Sequence, residues 1–121
     1  MYTIHRARQM GLSIQVFEAG DDVGGTWYWN RYPGAACDTE AYIYLPLCEE
    51  VGYIPKSKYA FAPEILEHSR NIARTFDLYR NACLQTEVKD LAWDDTGACW
   101  VIRTNRDDVM RARYVIRCNG P

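Results

Sequence analysis

Residues 24–38 hold most of the side chains in this sequence whose types and spacing could serve a chemical role. The stretch reads GGTWYWNRYPGAACD, with glycine or proline at four positions and four large aromatic residues between them. Glycine and proline permit unusual backbone turns. Flat side chains with polar tips suit a loop that wraps a flat cofactor, because the rings can pack on it and donate hydrogen bonds. An aromatic loop that plugs the core explains the composition equally well.

The elements before this stretch must position it, and they suggest a nucleotide-binding arrangement. Residues 1–10 have helical spacing, Gly11 suits a helix end, and residues 13–18 form a largely apolar run that suits a buried strand. A helix, a tight turn and a buried strand ending in an acid make up the second half of a Rossmann βαβ unit. Glu18 would then accept a hydrogen bond from a ribose hydroxyl of a dinucleotide. The alternative is a solvated acid at a strand end.

Residues 24–38, preceded by VFEAGDDVG and followed by TEAYIY, resemble the flavin-binding segment of Baeyer–Villiger monooxygenases, which are class B flavin-dependent monooxygenases. The resemblance extends along the whole chain. It implies FAD and NADP(H) as cofactors, and O2 with a ketone or a heteroatom compound as substrates. No GxGxxG turn, the pyrophosphate-binding element of this fold, occurs in the 121 residues. We therefore expect the chain to be truncated at both ends relative to the family, and inactive on its own.

The same resemblance implies which residues form the site. Asp38 is the catalytic candidate, because the matching acid orients an active-site arginine that can be assigned to no residue here. Ala36 departs from the family, which often carries arginine there, and the change removes one positive contact for the nicotinamide cofactor. Val88 is expected to contact adenine through its backbone. The implied cofactor contacts are Glu18, Thr26, Trp27, Tyr28, Trp29, Ala36, Cys37, Asp38, Tyr44 and Val88, and for Tyr44 a core tyrosine is the alternative. No metal site is implied.

The fold class predicted for the chain is α/β, as a partial FAD-binding Rossmann-like domain that lacks the first strand and carries an inserted β-meander. Pro63 begins a predicted helix over 63–78, in which His68 lies off the apolar stripe and is expected at the surface. Strands are predicted at 83–88, 91–94, 99–103 and 109–113, with a return strand at 114–118. The predicted domain 1–121 divides into the helix and strand 1–18, the loop region 19–62, the helix 63–78 and the meander with return strand 83–121.

Composition limits the other possibilities. A chain of 121 residues is one domain at most, and a net charge of −2 argues against nucleic acid as the main partner. No apolar run reaches the length of a membrane span, and five cysteines without a CxxC pair predict neither zinc nor disulfides. A cytoplasmic location is therefore expected. Two further hypotheses stay open: a flavin- or nucleotide-binding module without turnover, and a remnant that depends on a partner chain.

Overall fold

A computed structural model describes residues 1–120. The α-helices are α1 (Tyr2–Gln9), α2 (Thr26–Trp29), α3 (Ala41–Tyr44) and α4 (Ala62–Thr75), and a 3-10 helix spans Tyr79–Asn81. The strands are β1 (Val16–Phe17), β2 (Ala82–Cys83), β3 (Val88–Asp94), β4 (Cys99–Thr104) and β5 (Val109–Ala112). Within the described residues, no helix is both long and apolar enough to cross a bilayer.

The strands form two separate sheets. β1 and β2 pair in parallel, with Val16 opposite Ala82 and Phe17 opposite Cys83. β3, β4 and β5 form an antiparallel meander in that order. Parallel neighbours require a long crossover connection, and here it contains α2, α3 and α4. A helix-linked parallel pair beside a meander agrees with the predicted α/β class.

Helix α4 supplies the centre of the core. Phe61 precedes it in an extended conformation, a proline occupies the first turn, and Glu64 complements the positive end of the helix dipole. Ile65 packs in a cluster with residues of the 24–38 loop, whereas Ile72 packs in a second cluster with α1. The buried residues of α4 are Ala62, Ile65, Leu66, His68, Ser69, Ile72 and Ala73. The helix ends three residues before the predicted limit of 78.

The β3–β4 hairpin lies where the sequence predicts it. Asp94 accepts backbone N–H bonds from Thr96 and Gly97 at 3.1 and 3.0 Å, which closes the turn with a side chain that mimics the backbone. Trp93 and Trp100 stand opposite each other, edge to face, with ring centroids 5.4 Å apart. Cross-strand aromatic pairs of this kind stabilise the register of a hairpin.

Two of the predicted strands are wrong. Residues 114–118 form no strand, because no strand in the described part of the chain offers them backbone partners, and Tyr114 and Ile116 are exposed. The strand predicted over 83–88 is reduced to β2, because Gln85 turns to a φ of 50°. Only Val16–Phe17 of the run 13–18 is a strand, and it is half-buried. Pro121, at the end of the predicted return segment, lies outside the described residues.

The prediction that His68 lies at the surface is also wrong. The side chain is 3% exposed, and its Nε2 lies 2.8 Å from the carbonyl oxygen of Pro46. The imidazole also packs against the Tyr53 ring at 4.8 Å. Residues 45–53, for which the sequence predicted no structure, contact this side of α4 and bury a position that the apolar stripe leaves out.

Candidate functional site

Glu18 lies at the carboxyl end of β1, where the sequence predicts an acid. Its backbone N–H donates to the Cys83 carbonyl at 3.0 Å, and its carbonyl accepts from the Thr86 N–H at 2.8 Å. One carboxylate oxygen accepts the Gly20 N–H at 2.8 Å. The other oxygen has no partner among residues 1–120. The side chain is therefore held at one oxygen and can accept a hydrogen bond at the other.

Two glycines shape the turn that leads into α2. Gly24 has φ 130° and Gly25 has φ 52°, both in the region that favours glycine. A Cβ atom on Gly24 would lie 2.5 Å from Cδ1 of Leu66 on α4. The Gly24 carbonyl accepts the Trp27 N–H at 3.1 Å and so begins the helix. The turn lets the loop backbone lie directly against α4.

Trp27 joins α2 to α3. Its ring is buried, and the indole Nε1–H donates to the Tyr44 hydroxyl at 2.8 Å. The two rings meet edge to face, with centroids 6.1 Å apart. Tyr44 remains 39% exposed, so it is neither a core tyrosine nor a free surface residue.

Tyr44→Phe is expected to lower the free energy of unfolding by about 0.5–1.5 kcal/mol, because it removes the acceptor of the Trp27 indole. Tyr114, which is 84% exposed and whose hydroxyl makes no hydrogen bond within residues 1–120, provides the control, and Tyr114→Phe is expected to change stability by less than about 0.5 kcal/mol. Urea unfolding followed by tryptophan fluorescence compares the two variants. Equal losses would show that the hydrogen bond contributes nothing specific.

Helix α2 presents two different faces. Trp27 and Tyr28 are buried, whereas Thr26 and Trp29 are exposed. The Tyr28 and Trp29 rings meet edge to face at 4.7 Å, and the Arg31 guanidinium lies 4.8 Å from the centre of the Tyr28 ring. The aromatic stretch therefore fills part of the core and also offers a flat indole to solvent.

Along the segment from Ala36 to Asp38, the side chains alternate between solvent and the core. Ala36 forms an antiparallel bridge with Phe61, and the Cys37 N–H donates to the Ala60 carbonyl at 3.0 Å. Cys37 is buried, while Ala36 and Asp38 face solvent. The Asp38 carboxylate makes no hydrogen bond or ion pair within residues 1–120.

Val88 begins β3 and is partly exposed. It follows Thr86 by two residues, and the Thr86 N–H is bonded to the carbonyl of Glu18. Gly20 joins this region to α2, since a Cβ there would lie 2.7 Å from the Tyr28 ring. The structure thus brings the predicted residues into two groups. Glu18 and Val88 form one, and α2 with Tyr44 and the Ala36–Asp38 segment forms the other. The loop 19–25 links the two groups.

Asp22, which no motif in the sequence singles out, anchors that loop. Its Oδ2 accepts from Arg70 Nε at 2.7 Å, and its Oδ1 accepts from the Tyr79 hydroxyl at 2.7 Å. Partial burial raises the pKa of Asp22, but these hydrogen bonds outweigh burial and hold the pKa below its ordinary value. Burial and the bond to Asp22 raise the pKa of Tyr79 to about 12. Arg70 and Tyr79 follow Asp22 by 48 and 57 positions, and no sequence pattern connects residues so far apart.

A second cluster outside the predicted set holds residues 45–58 against the start of α4. The Tyr53 hydroxyl donates to Glu64, and the Lys56 N–H donates to the same carboxylate oxygen at 3.0 Å. Partial burial and the Glu64 bond raise the pKa of Tyr53 to about 12. The phenol therefore remains a donor throughout the neutral range.

Neither of two surface cavities encloses the predicted residues. The larger, about 310 Å³, lies between α1 and the end of α4. The smaller, about 140 Å³, adjoins Arg31 and Tyr32, and it lies below the range of roughly 300–1,000 Å³ for ligand pockets. No group of three or more His, Cys, Asp or Glu that could hold a metal ion occurs in residues 1–120. The exposed members of the predicted set, among them Thr26, Trp29 and Asp38, therefore lie outside both of these cavities.

Comparison with known proteins shows which proteins this chain is similar to. Residues 1–51 match the family described as an NAD(P)-binding Rossmann-like domain. The chain is 52% identical over 116 residues to a Baeyer–Villiger monooxygenase of Streptomyces coelicolor, a match that covers 95% of this chain. Over 95% of its length, the chain is similar to a Baeyer–Villiger monooxygenase. It spans 19% of the length of that relative.

Solved structures of monooxygenases agree with this similarity. An oxidized steroid monooxygenase bound to NADP superposes with a TM-score of 0.90 at 43% identity, over 99% of this chain and 24% of that one. A crystal structure of OTEMO in complex with FAD and NADP gives 0.93 at 31% identity, over 99% and 23%. The Rossmann-like fold class predicted from the sequence is confirmed.

Proposed function

We propose that this chain forms one wall of the FAD site of a flavin-dependent monooxygenase. The enzyme would use NADPH and O2 to insert oxygen into a ketone, as in Baeyer–Villiger oxidation, or to oxygenate a heteroatom. The observation that carries the proposal is the half-satisfied Glu18 carboxylate on the same loop as the exposed face of α2. The Streptomyces relative and the FAD- and NADP-bound neighbour support it. The proposed unit is the partial FAD-binding domain 1–121.

The residues fit one side of a dinucleotide. Glu18 would accept a ribose hydroxyl through its available oxygen, at the carboxyl end of a parallel strand where such ligands bind. Thr26 and Trp29 would face the flavin, with Trp27 and Tyr28 supporting them from the core. Tyr44 would contribute from α3, and Val88 would contact adenine through its backbone. Bound FAD would supply the redox chemistry, and these residues would bind and orient it.

Asp38 is proposed to orient a cationic side chain near the reacting centre. Its carboxylate faces solvent beside buried Cys37, so the backbone position is fixed while the charge remains available. A charge-assisted hydrogen bond from a guanidinium is the natural partner. Ala36 and Cys37 would then line the nicotinamide side mainly through their backbone, because one side chain is small and the other is buried.

A second candidate is a flavin- or nucleotide-binding module without turnover. It is favoured by the Glu18 carboxylate, whose available oxygen can accept a ribose hydroxyl without any redox chemistry. Turnover of a cyclic ketone with NADPH by the isolated chain would contradict this candidate. We also propose a cytoplasmic location, supported by five cysteines that are all free thiols.

The test is the visible spectrum of the chain after incubation with FAD and desalting. We expect about one equivalent of flavin to remain, and Glu18→Gln to weaken binding about tenfold, because a charge-assisted bond to ribose is worth about 1.5–3 kcal/mol. Exposed Glu49 gives the control, and Glu49→Gln is expected to bind as the unsubstituted chain does. A colourless protein would contradict the proposed flavin site. Unchanged affinity in Glu18→Gln would contradict only the role of Glu18.

A further inference from the structure

Asp22 is the point at which two separate elements, α4 and the 3-10 helix, meet the loop between β1 and α2. Its carboxylate accepts hydrogen bonds from Arg70 of α4 and from Tyr79 of the 3-10 helix, each at 2.7 Å. The Val23 N–H adds a third bond at 2.8 Å. The Asp22 and Arg70 side chains are 22% and 32% exposed, so both are shielded from water along much of their length.

The position of Asp22 gives these contacts a consequence for the site. It lies four residues after Glu18 and four before Thr26, in a segment that contains neither helix nor strand. Gly24, two residues on, is pressed against Leu66 of the same helix α4. Fixing Asp22 on α4 therefore fixes how far apart the two groups of proposed FAD contacts stand.

We propose that Asp22 is a positioning residue, which sets the spacing between Glu18 and α2 by holding the loop against Arg70 and Tyr79. This inference rests on the proposed function in one respect, since the ligand that would benefit from the spacing is FAD. Asp22 itself need not touch the cofactor.

The charges around Asp22 define the pH range in which the anchor holds. Arg70 also lies 3.9 Å from Glu67, which bonds Arg74, so two cations and one further acid of α4 face the cluster. The folded pKa of Asp22 lies below its ordinary value, so its contribution is present above about pH 3.9 and is lost as the pH falls through the folded pKa. The pKa of Tyr79 is raised to about 12, so its contribution is present below about pH 10 and is lost as the pH rises through about 12.

The decisive variant is Asp22→Asn, which keeps the shape and removes the charge. Exposed Asp21, whose carboxylate makes no hydrogen bond in the described residues, provides the matched control Asp21→Asn. Near-ultraviolet circular dichroism of the flavin-free chain from pH 2 to 8 reports the packing of its aromatic rings, Trp27 and Tyr28 among them. FAD titrations over the same range report the site.

For the unsubstituted chain and Asp21→Asn, we expect a near-ultraviolet signal that falls in acid and FAD affinity that falls with it. Asp22→Asn is expected to show a reduced signal already at pH 7, a flattened pH profile and about tenfold weaker FAD binding. Identical pH profiles for Asp22→Asn and the unsubstituted chain would overturn the inference.

Two further outcomes remain decisive. If the unsubstituted chain binds no FAD, the proposed flavin site fails, while the flavin-free profiles still decide whether Asp22 anchors the loop. If the circular dichroism of Asp22→Asn shows that its helices are lost, the same profiles are measured on Tyr79→Phe instead, because that substitution removes one hydroxyl and no charge. A Tyr79→Phe profile that coincides with that of the unsubstituted chain would then overturn the inference.

Discussion

Gly24→Ala is expected to be among the most destabilising single substitutions in this chain. The positive φ of 130° is a conformation that costs a residue with a side chain about 1–3 kcal/mol. The new methyl group would also lie 2.5 Å from Leu66, and overpacking of this kind costs about 1–3 kcal/mol more. Urea unfolding measures the loss. The FAD titration is expected to show weaker binding, because the turn sets the start of α2.

Gly52→Ala separates the two causes. Gly52 also has a positive φ, of 65°, but a Cβ there would meet no atom within 4 Å. We expect only the conformational part of the loss, about 1–2 kcal/mol. Equal losses at the two positions would mean that the approach of Gly24 to α4 contributes nothing, and the account of the turn given above would be wrong.

The second large effect is expected from Trp27→Ala, at about 3–5 kcal/mol of unfolding free energy, because a buried ring is removed from the core. Trp29, two residues on, is 63% exposed and contacts the Tyr28 ring. Trp29→Ala is therefore expected to lower the free energy of unfolding by less than about 1.5 kcal/mol. Denaturant unfolding of both variants, followed by far-ultraviolet circular dichroism, measures the difference.

The order of the two effects is expected to reverse when FAD affinity is measured under conditions where both variants are folded. Trp27→Ala is then expected to weaken FAD binding less than Trp29→Ala does. Trp29→Ala is expected to weaken FAD binding about tenfold, which corresponds to about 1.4 kcal/mol. If Trp29→Ala proves as destabilising as Trp27→Ala, the division of α2 into a buried and an exposed face is incorrect. If it binds FAD as well as the unsubstituted chain, Trp29 is not part of the flavin site.

Local signals predicted the parts of this fold that depend on local interactions. The predicted start of α4 at Pro63, and the predicted strands 91–94 and 99–103 on either side of the β3–β4 turn, lie within a few residues of the observed limits. The strand predicted at 114–118 failed for the opposite reason. An apolar run becomes a strand only where another strand supplies hydrogen bonds, and the sequence of the run carries no information about that partner.

The candidate site divides in the same way. Residue types identified the aromatic loop and Glu18, but two properties of the site come from contacts between distant positions. His68 is buried because residues 45–53 contact it, and Asp22 is anchored because α4 and the 3-10 helix place Arg70 and Tyr79 beside it. Neither the apolar stripe of one helix nor an acid in a loop predicts such partners.

One helix serving both hydrophobic clusters has a consequence for how the protein unfolds. Ile65 and Leu66 belong to the cluster of the aromatic loop, and Ile72 and Ala73 belong to the cluster of α1. Neither cluster can open without losing packing against the same fourteen-residue helix. The loop, α1 and α4 should therefore melt as a single cooperative unit, whereas the meander, whose residues belong to neither cluster, can open and close independently and exchange its amide protons first.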